Sequence, residues 1–197
     1  MSVSLLLPMS AFALAASISP GPVNLVCLSS GTHYPIAKGL VFVTGATLGF
    51  IALLLGIGTG LYSLLTTMPL FDVLLRWAGV AFLLYLSIKL AMDDGTLPEQ
   101  AIAKPPGFMT GALMQWLNPK AWIASASGIS AYTSGNDLTQ IAMFAALYLP
   151  ICWLSLASWV YAGAFLKRSI QTPRLLVTIN RLLAVLLATS CLFLLLA

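Results

Sequence analysis

Pro20-Gly21-Pro22-Val23-Asn24-Leu25 falls two-thirds of the way along the first long apolar run of the chain, and Leu117-Asn118-Pro119-Lys120-Ala121 falls near the middle of the fourth. A proline inside a helix removes one backbone hydrogen bond and clashes with the preceding turn, at a cost of about 3 kcal/mol. Two such breaks in membrane-length segments need a reason. In lipid, non-helical backbone is tolerated only where protein buries it or it lines a wet cavity. Interrupted hydrophobic segments at corresponding places in two halves therefore point to a transporter binding site.

The composition around these breaks sets the environment. The chain has 197 residues, of which 60% are hydrophobic and 7% charged, with a mean hydropathy of +0.99. A soluble domain carries about 25% charged residues, so this is an integral membrane protein with almost no room for a soluble domain. The net charge is +4, but the nine basic residues are spread singly through short loops and helix ends, which argues against a nucleic-acid partner. Cys27, Cys152 and Cys191 lie in or beside apolar runs without CxxC spacing, and read as buried inert thiols rather than a disulfide framework, a zinc site or a redox relay. The stretch from Met1 to Ala16 has an Ala13-Leu14-Ala15 resembling a cleavage site. It lacks a basic leading region and runs on through the proline break, so it reads as a retained first helix.

About 20 apolar residues cross the hydrocarbon core, and six spans are predicted at 4–28, 38–64, 70–91, 107–131, 138–166 and 174–197. Residues 92–106, with Asp93, Asp94, Glu99 and Lys104 among prolines, divide the chain into a first three-span half, 1–91, and a second, 107–197. Lys38, Lys89, Lys104, Lys167, Arg168 and Arg174 fall near the loops after spans 1, 3 and 5, while Arg76 stands alone on the opposite side. Short cytoplasmic loops collect lysine and arginine, so those three loops are expected inside and both termini outside. Arg181, seven residues beyond Arg174, reads as snorkelling to the cytoplasmic surface. An odd number of spans per half inverts the second half relative to the first. The expected fold is an all-α membrane protein of six helices in two inverted halves, with helices 1 and 4 broken. In span 2, Gly45, Gly49, Ala52, Gly56 and Gly60 form one small-residue face on which another helix can pack closely.

Each break also reads as the start of a second half-helix. Gly21 and Asn118 suit the N-cap, and Pro22 and Pro119 suit the first helical position, where a missing amide costs nothing. Two helix N-termini converging on the midplane favour a carboxylate, and carbonyls released by the prolines are expected to receive an ammonium. A small zwitterion matches both. Lys120 lies near the centre of span 4, where a charge costs about 2.5 to 3.5 kcal/mol, and no acidic residue shares its depth. Its missing counter-ion is read as a substrate carboxylate; the alternative is a structural lysine whose stem reaches water. Asn24, Gln115 and Asn118 are expected to line the same cavity, with interhelical packing an equal reading for Gln115. Trp116 and Trp122 bracket the second break and read more readily as core packing than as cavity wall. His33 reads as a solvated loop residue, and Asp72 with Arg76, four apart, as an interfacial ion pair.

With Gly39, Gly45 and Gly49 following the first motif, and Leu117-Asn118-Pro119-Lys120-Ala121 later, the chain resembles the LysE/RhtB family of amino-acid exporters over its whole length. The resemblance implies a bacterial inner-membrane secondary exporter of amino acids or close derivatives, driven by an ion gradient with the proton as the expected coupling ion. The size and loop pattern are most similar to the branch exporting cysteine and O-acetylserine. Pro20, Gly21, Pro22, Asn24, Gln115, Asn118, Pro119 and Lys120, from the reading of the two breaks, are the candidate substrate-binding residues, and no cofactor or metal is expected. Members often carry Asn or Asp directly after the first motif; here that place is Val23, with Asn24 next, so an acidic proton carrier at that point is absent. Where members commonly have a Pro-Gln-Phe-like element, this chain reads Ala131-Tyr132-Thr133-Ser134-Gly135. Three other readings remain. A metal-cation exporter is disfavoured by one histidine, scattered cysteines and no midplane carboxylate. A membrane-embedded enzyme lacks a paired acid and base. A passive channel would use the same cavity without gradient coupling.

Overall fold

A computed structural model describes residues 5–61, 105–134 and 137–169 continuously, together with scattered positions between 73 and 92 and between 177 and 189. Among the described residues there are six helices and no strand: α1 Leu6–Ile18, α2 Pro22–His33, α3 Ile36–Gly58, α4 Phe108–Trp116, α5 Pro119–Tyr132 and α6 Leu138–Ser169. The predicted spans 3 and 6, Arg76, Asp72, Lys89, Lys104, Arg174 and Cys191 fall largely or wholly outside the described residues.

Proline sets most of the boundaries. A residue before proline is pushed out of the helical region, and Ser19 (ψ 139), Gly21 (ψ 174), Tyr34 (ψ 162) and Asn118 (ψ 106) are all extended in front of Pro20, Pro22, Pro35 and Pro119. The first helical position accepts proline because its amide has no intrahelical partner. α2 and α5 therefore restart at Pro22 and Pro119 with Gly21 and Asn118 as N-caps, as the sequence predicts. A lone Pro150 inside α6 leaves that 32-residue helix continuous.

α3 and α6 are each long and apolar enough to cross a membrane, and α1 with α2 qualify jointly as one span bent by 61° at the break. That bent span runs on to His33, beyond the predicted end at residue 28, so the connection to α3 is only Tyr34-Pro35. His33 is consequently not a loop residue. It closes α2, half-buried, with Nδ1 2.8 Å from the Ser29 carbonyl and 2.8 Å from Thr32 Oγ1.

Two close helix contacts hold the fold, and both rely on glycine. α3 meets α4 where a Cβ on Gly45 would strike the Phe108 carbonyl, one on Gly49 would come within 2.6 Å of Ala112 Cα, and one on Gly111 would strike the Phe42 carbonyl. α2 meets α6 in the same manner, through Gly31 against the Val160 carbonyl and Gly163 against the Leu28 carbonyl. Small residues are what allow backbones to approach this closely where lipid supplies no hydrophobic drive between helices. Only Gly45 and Gly49 of the predicted small-residue face take part: Ala52 is exposed, a Cβ on Gly56 would meet only Leu61, and Gly60 (φ 97) lies in the turn beyond α3. Elsewhere Ser87 Oγ donates to the Ala184 carbonyl at 2.9 Å, joining two buried positions 97 residues apart.

Candidate functional site

A helix that ends inside a membrane leaves carbonyls that must find donors. At the first break every carbonyl from Ala15 to Gly21 has one. The Ser19 amide donates to Ala15 O (3.3 Å) and Ser19 Oγ to Ala16 O (3.3 Å). Asn24 Nδ2 reaches back to Ser17 O (2.8 Å), and Trp159 Nε1 of α6 reaches Ile18 O (3.1 Å). Lys120 Nζ of α5 donates to Ser19 O (2.7 Å), Ser19 Oγ (2.8 Å) and Pro20 O (3.4 Å), and the Leu25 amide closes on Gly21 O (3.0 Å). The released carbonyls therefore do not stand open in this structure. The chain's own donors, including its own ammonium, hold them.

The second break is sealed by a different set. Asn118 Oδ1 accepts the Lys120 amide (3.2 Å), the side-chain N-cap of α5. Trp122 Nε1 donates to Trp116 O (2.8 Å), and the two indoles meet edge to face with centroids 6.2 Å apart. That bond explains the paired tryptophans: one supplies the donor that the end of α4 needs, and neither lines the cavity beside them. At α2, by contrast, Gly21 offers no side-chain cap to the helix N-terminus.

Lys120 brings the two breaks together. Its ammonium lies so near Gly21 that a Cβ there would stand 3.2 Å from Nζ and 3.3 Å from Cδ. Beside this bridge is a cavity lined by Asn24, Gln115, Asn118 and Lys120, and also by Ser17, Phe50, Tyr148 and Cys152. All four polar residues expected at a common site thus line one cavity. Pro22 is buried behind it, Pro119 and Gly21 are half-buried, and Pro20 is exposed at the edge. Gln115 is buried on α4 and lines the cavity. The cavity holds about 30 Å³, enough for about two waters and too little for an amino acid. Entry of such a ligand requires the helices to part.

Several members were not singled out from sequence. Ser19 supplies two of the three acceptors of Lys120; its only signal was a hydroxyl next to the proline motif. Tyr148, Cys152 and Trp159 come from α6, an unbroken apolar run without any local cue. The thiol of Cys152, read as inert, faces the cavity, with the hydroxyls of Ser17 and Thr47 beside it but not in hydrogen-bond geometry. Among the described residues no three His, Cys, Asp or Glu side chains converge in a way that would hold a metal ion.

Apolar helices, two broken segments joined at their breaks and a small, largely apolar cavity that Asn24, Gln115, Asn118 and Lys120 help to line define a multi-pass membrane transport protein. More narrowly, the chain belongs to the LysE-type translocator family, whose model matches residues 14–197. It is similar to the cysteine/O-acetylserine efflux protein of Salmonella typhimurium, at 27% identity over 162 residues covering 78% of this chain and 82% of that one. The protein of the same description from Escherichia coli K12 is 26% identical over 170 residues, covering 85% and 87%. No solved structure matches the chain.

Proposed function

We propose that the protein is a secondary active exporter of amino acids or small zwitterionic derivatives across the bacterial inner membrane, coupled to an ion gradient with the proton as driving ion. The observation that carries this reading is the meeting of the two breaks, with Lys120 hydrogen-bonded to Ser19 and Pro20 and Asn24, Gln115 and Asn118 lining the adjoining cavity. A helix N-terminus and a lysine suit a carboxylate, and unwound carbonyls suit an ammonium. Uncharged polar groups suit a short polar side chain. The relatives are cysteine/O-acetylserine efflux proteins, and efflux of small zwitterions with short polar side chains agrees with the same reading.

The arrangement proposed for the membrane is six spans in two inverted halves, 1–91 and 107–197, with 92–106 cytoplasmic and both termini periplasmic. Pro20, Gly21, Pro22 and Asn24 of one half and Gln115, Asn118, Pro119 and Lys120 of the other would form the substrate site. The experiment is proteoliposomes holding the purified protein, loaded with a mixture of amino acids and subjected to an imposed proton gradient. Selective, gradient-dependent loss of a few small amino acids is expected. Gradient-independent leakage would instead indicate a passive channel, and no flux of any amino acid would sink the reading.

A further inference from the structure

We infer that the acceptor set Ser19 O, Ser19 Oγ and Pro20 O is the place where the substrate's own ammonium binds, and that Lys120 occupies it only until a zwitterion exchanges with it. This rests on the exporter reading above and adds the order of events at the site. An ammonium has three donors, and Lys120 Nζ directs them at three acceptors, at 2.7, 2.8 and 3.4 Å, all belonging to the first break. No carboxylate of the described residues touches it; Asp137, the one acid among them, is bonded to Thr139 and Gln140 at the start of α6. Lys120 is thus held as a free amine ligand would be held, by neutral dipoles.

A zwitterion arriving in the cavity presents a carboxylate to Lys120 and an ammonium that needs acceptors. Each carbonyl from Ala15 to Gly21 already has one donor, and Lys120 Nζ itself fills the place where Ser19 O, Ser19 Oγ and Pro20 O converge, so a second ammonium takes that three-acceptor set only if Lys120 lets go. The exchange is balanced in charge: before it, one cation that no carboxylate of the described residues touches; after it, one ion pair and one cation on the carbonyls. Because the buried net charge is unchanged and a pair replaces a bare cation, the exchange avoids the cost of adding charge to the interior. It also removes the bridge from α5 to the end of α1, so the ligand that fits is the one that releases the two broken helices. An amine without a carboxylate meets an occupied cradle and a like charge. A carboxylate without an amine draws Lys120 away and leaves the carbonyls bare.

The test uses the full-length protein in detergent and in proteoliposomes, with L-serine and L-cysteine, their methyl esters and their N-acetyl derivatives as probes. With wild-type protein the esters and the N-acetyl compounds should compete with the parent amino acid roughly tenfold or more weakly, because a ligand's apparent affinity falls with the fraction of time its site is free. In Lys120→Met and Lys120→Gln the parent amino acids should lose affinity while the esters gain it by about tenfold, read as thermal stabilisation of monodisperse protein, which follows occupancy. A lysine with a purely structural role leaves that selectivity unmoved. Esters that match the parent on wild-type protein would overturn the proposal even if neither variant folds. Transport of the parent with no ester gain in the variants would overturn it alone, whereas absence of any amino-acid binding or flux by wild-type protein would sink the export reading as well.

Discussion

Lys120 Nζ lies 2.7 Å from the carbonyl oxygen of Ser19, a hydrogen bond between residues 101 positions apart in sequence. One end belongs to the N-terminus of α5 and the other to the unwound end of α1. A charge-assisted hydrogen bond is stronger than one between neutral groups, so this half-buried pair ties the two proline breaks together and makes one site of them.

Removing the charge from that pair separates function from folding. Lys120→Met keeps a similar stem and should abolish amino-acid flux while membrane insertion stays intact or improves, since a midplane lysine costs about 2.5 to 3.5 kcal/mol to insert. Asn118→Ala removes only the side-chain cap on the Lys120 amide, worth about 1 kcal/mol, and should lower stability modestly with a smaller loss of flux. Flux per inserted molecule, measured at matched protein levels, checks both. Near-normal flux in Lys120→Met would return the lysine to a structural role.

The prolines should be needed for flux as much as for shape. Pro22→Ala and Pro119→Ala each remove about 3 kcal/mol of bias against a continuous helix. At the first break the restored amide would compete for Ile18 O, now held by Trp159. Both variants should insert normally and transport poorly, with slower amide exchange across residues 18–25 or 116–122. Unchanged exchange and unchanged flux would show that the breaks persist without proline.

Close helix contact predicts a sharp contrast between glycines. A Cβ on Gly163 would overlap the Leu28 carbonyl and lie 3.1 Å from the Thr32 amide, and backbone cannot step aside as a flexible side chain can. Gly163→Val should therefore destabilise by more than the usual 1 to 3 kcal/mol of overpacking. A Cβ on Gly107, the N-cap of α4, would have nothing within 4 Å, and Gly107→Ala should cost only the N-cap preference, about 0.5 to 1 kcal/mol. Thermal unfolding of the two purified variants in detergent makes the comparison.

Orientation is testable without the site. The proposal that the loop around Lys104 is cytoplasmic rests on six basic residues near three loops against one on the other side. A cysteine introduced at Gly95, which lies outside the described residues, should resist an impermeant thiol reagent in intact cells and react once the membrane is opened. Labelling in intact cells would reverse the proposed topology.

Sequence by itself determined where the helices break and restart, because proline acts on its own backbone and that of its immediate neighbours. Pro20-Gly21-Pro22 and Asn118-Pro119 end one helix and start the next, whereas the lone Pro150 leaves α6 continuous. Composition likewise decided that the chain lives in lipid. The donors for the released carbonyls were a tertiary matter. Asn24 reaches Ser17 locally, across the break, but Trp159 and Lys120 come to Ile18, Ser19 and Pro20 from helix positions 100 or more residues away, in a bundle whose helices approach closely at Gly31 and Gly163 and at Gly45, Gly49 and Gly111. Sequence could say that a lysine at mid-span needed a partner, since a charge in a low-dielectric interior always does. Which group served was set by how closely two pairs of backbones can approach, a property of packed surfaces that no single segment carries.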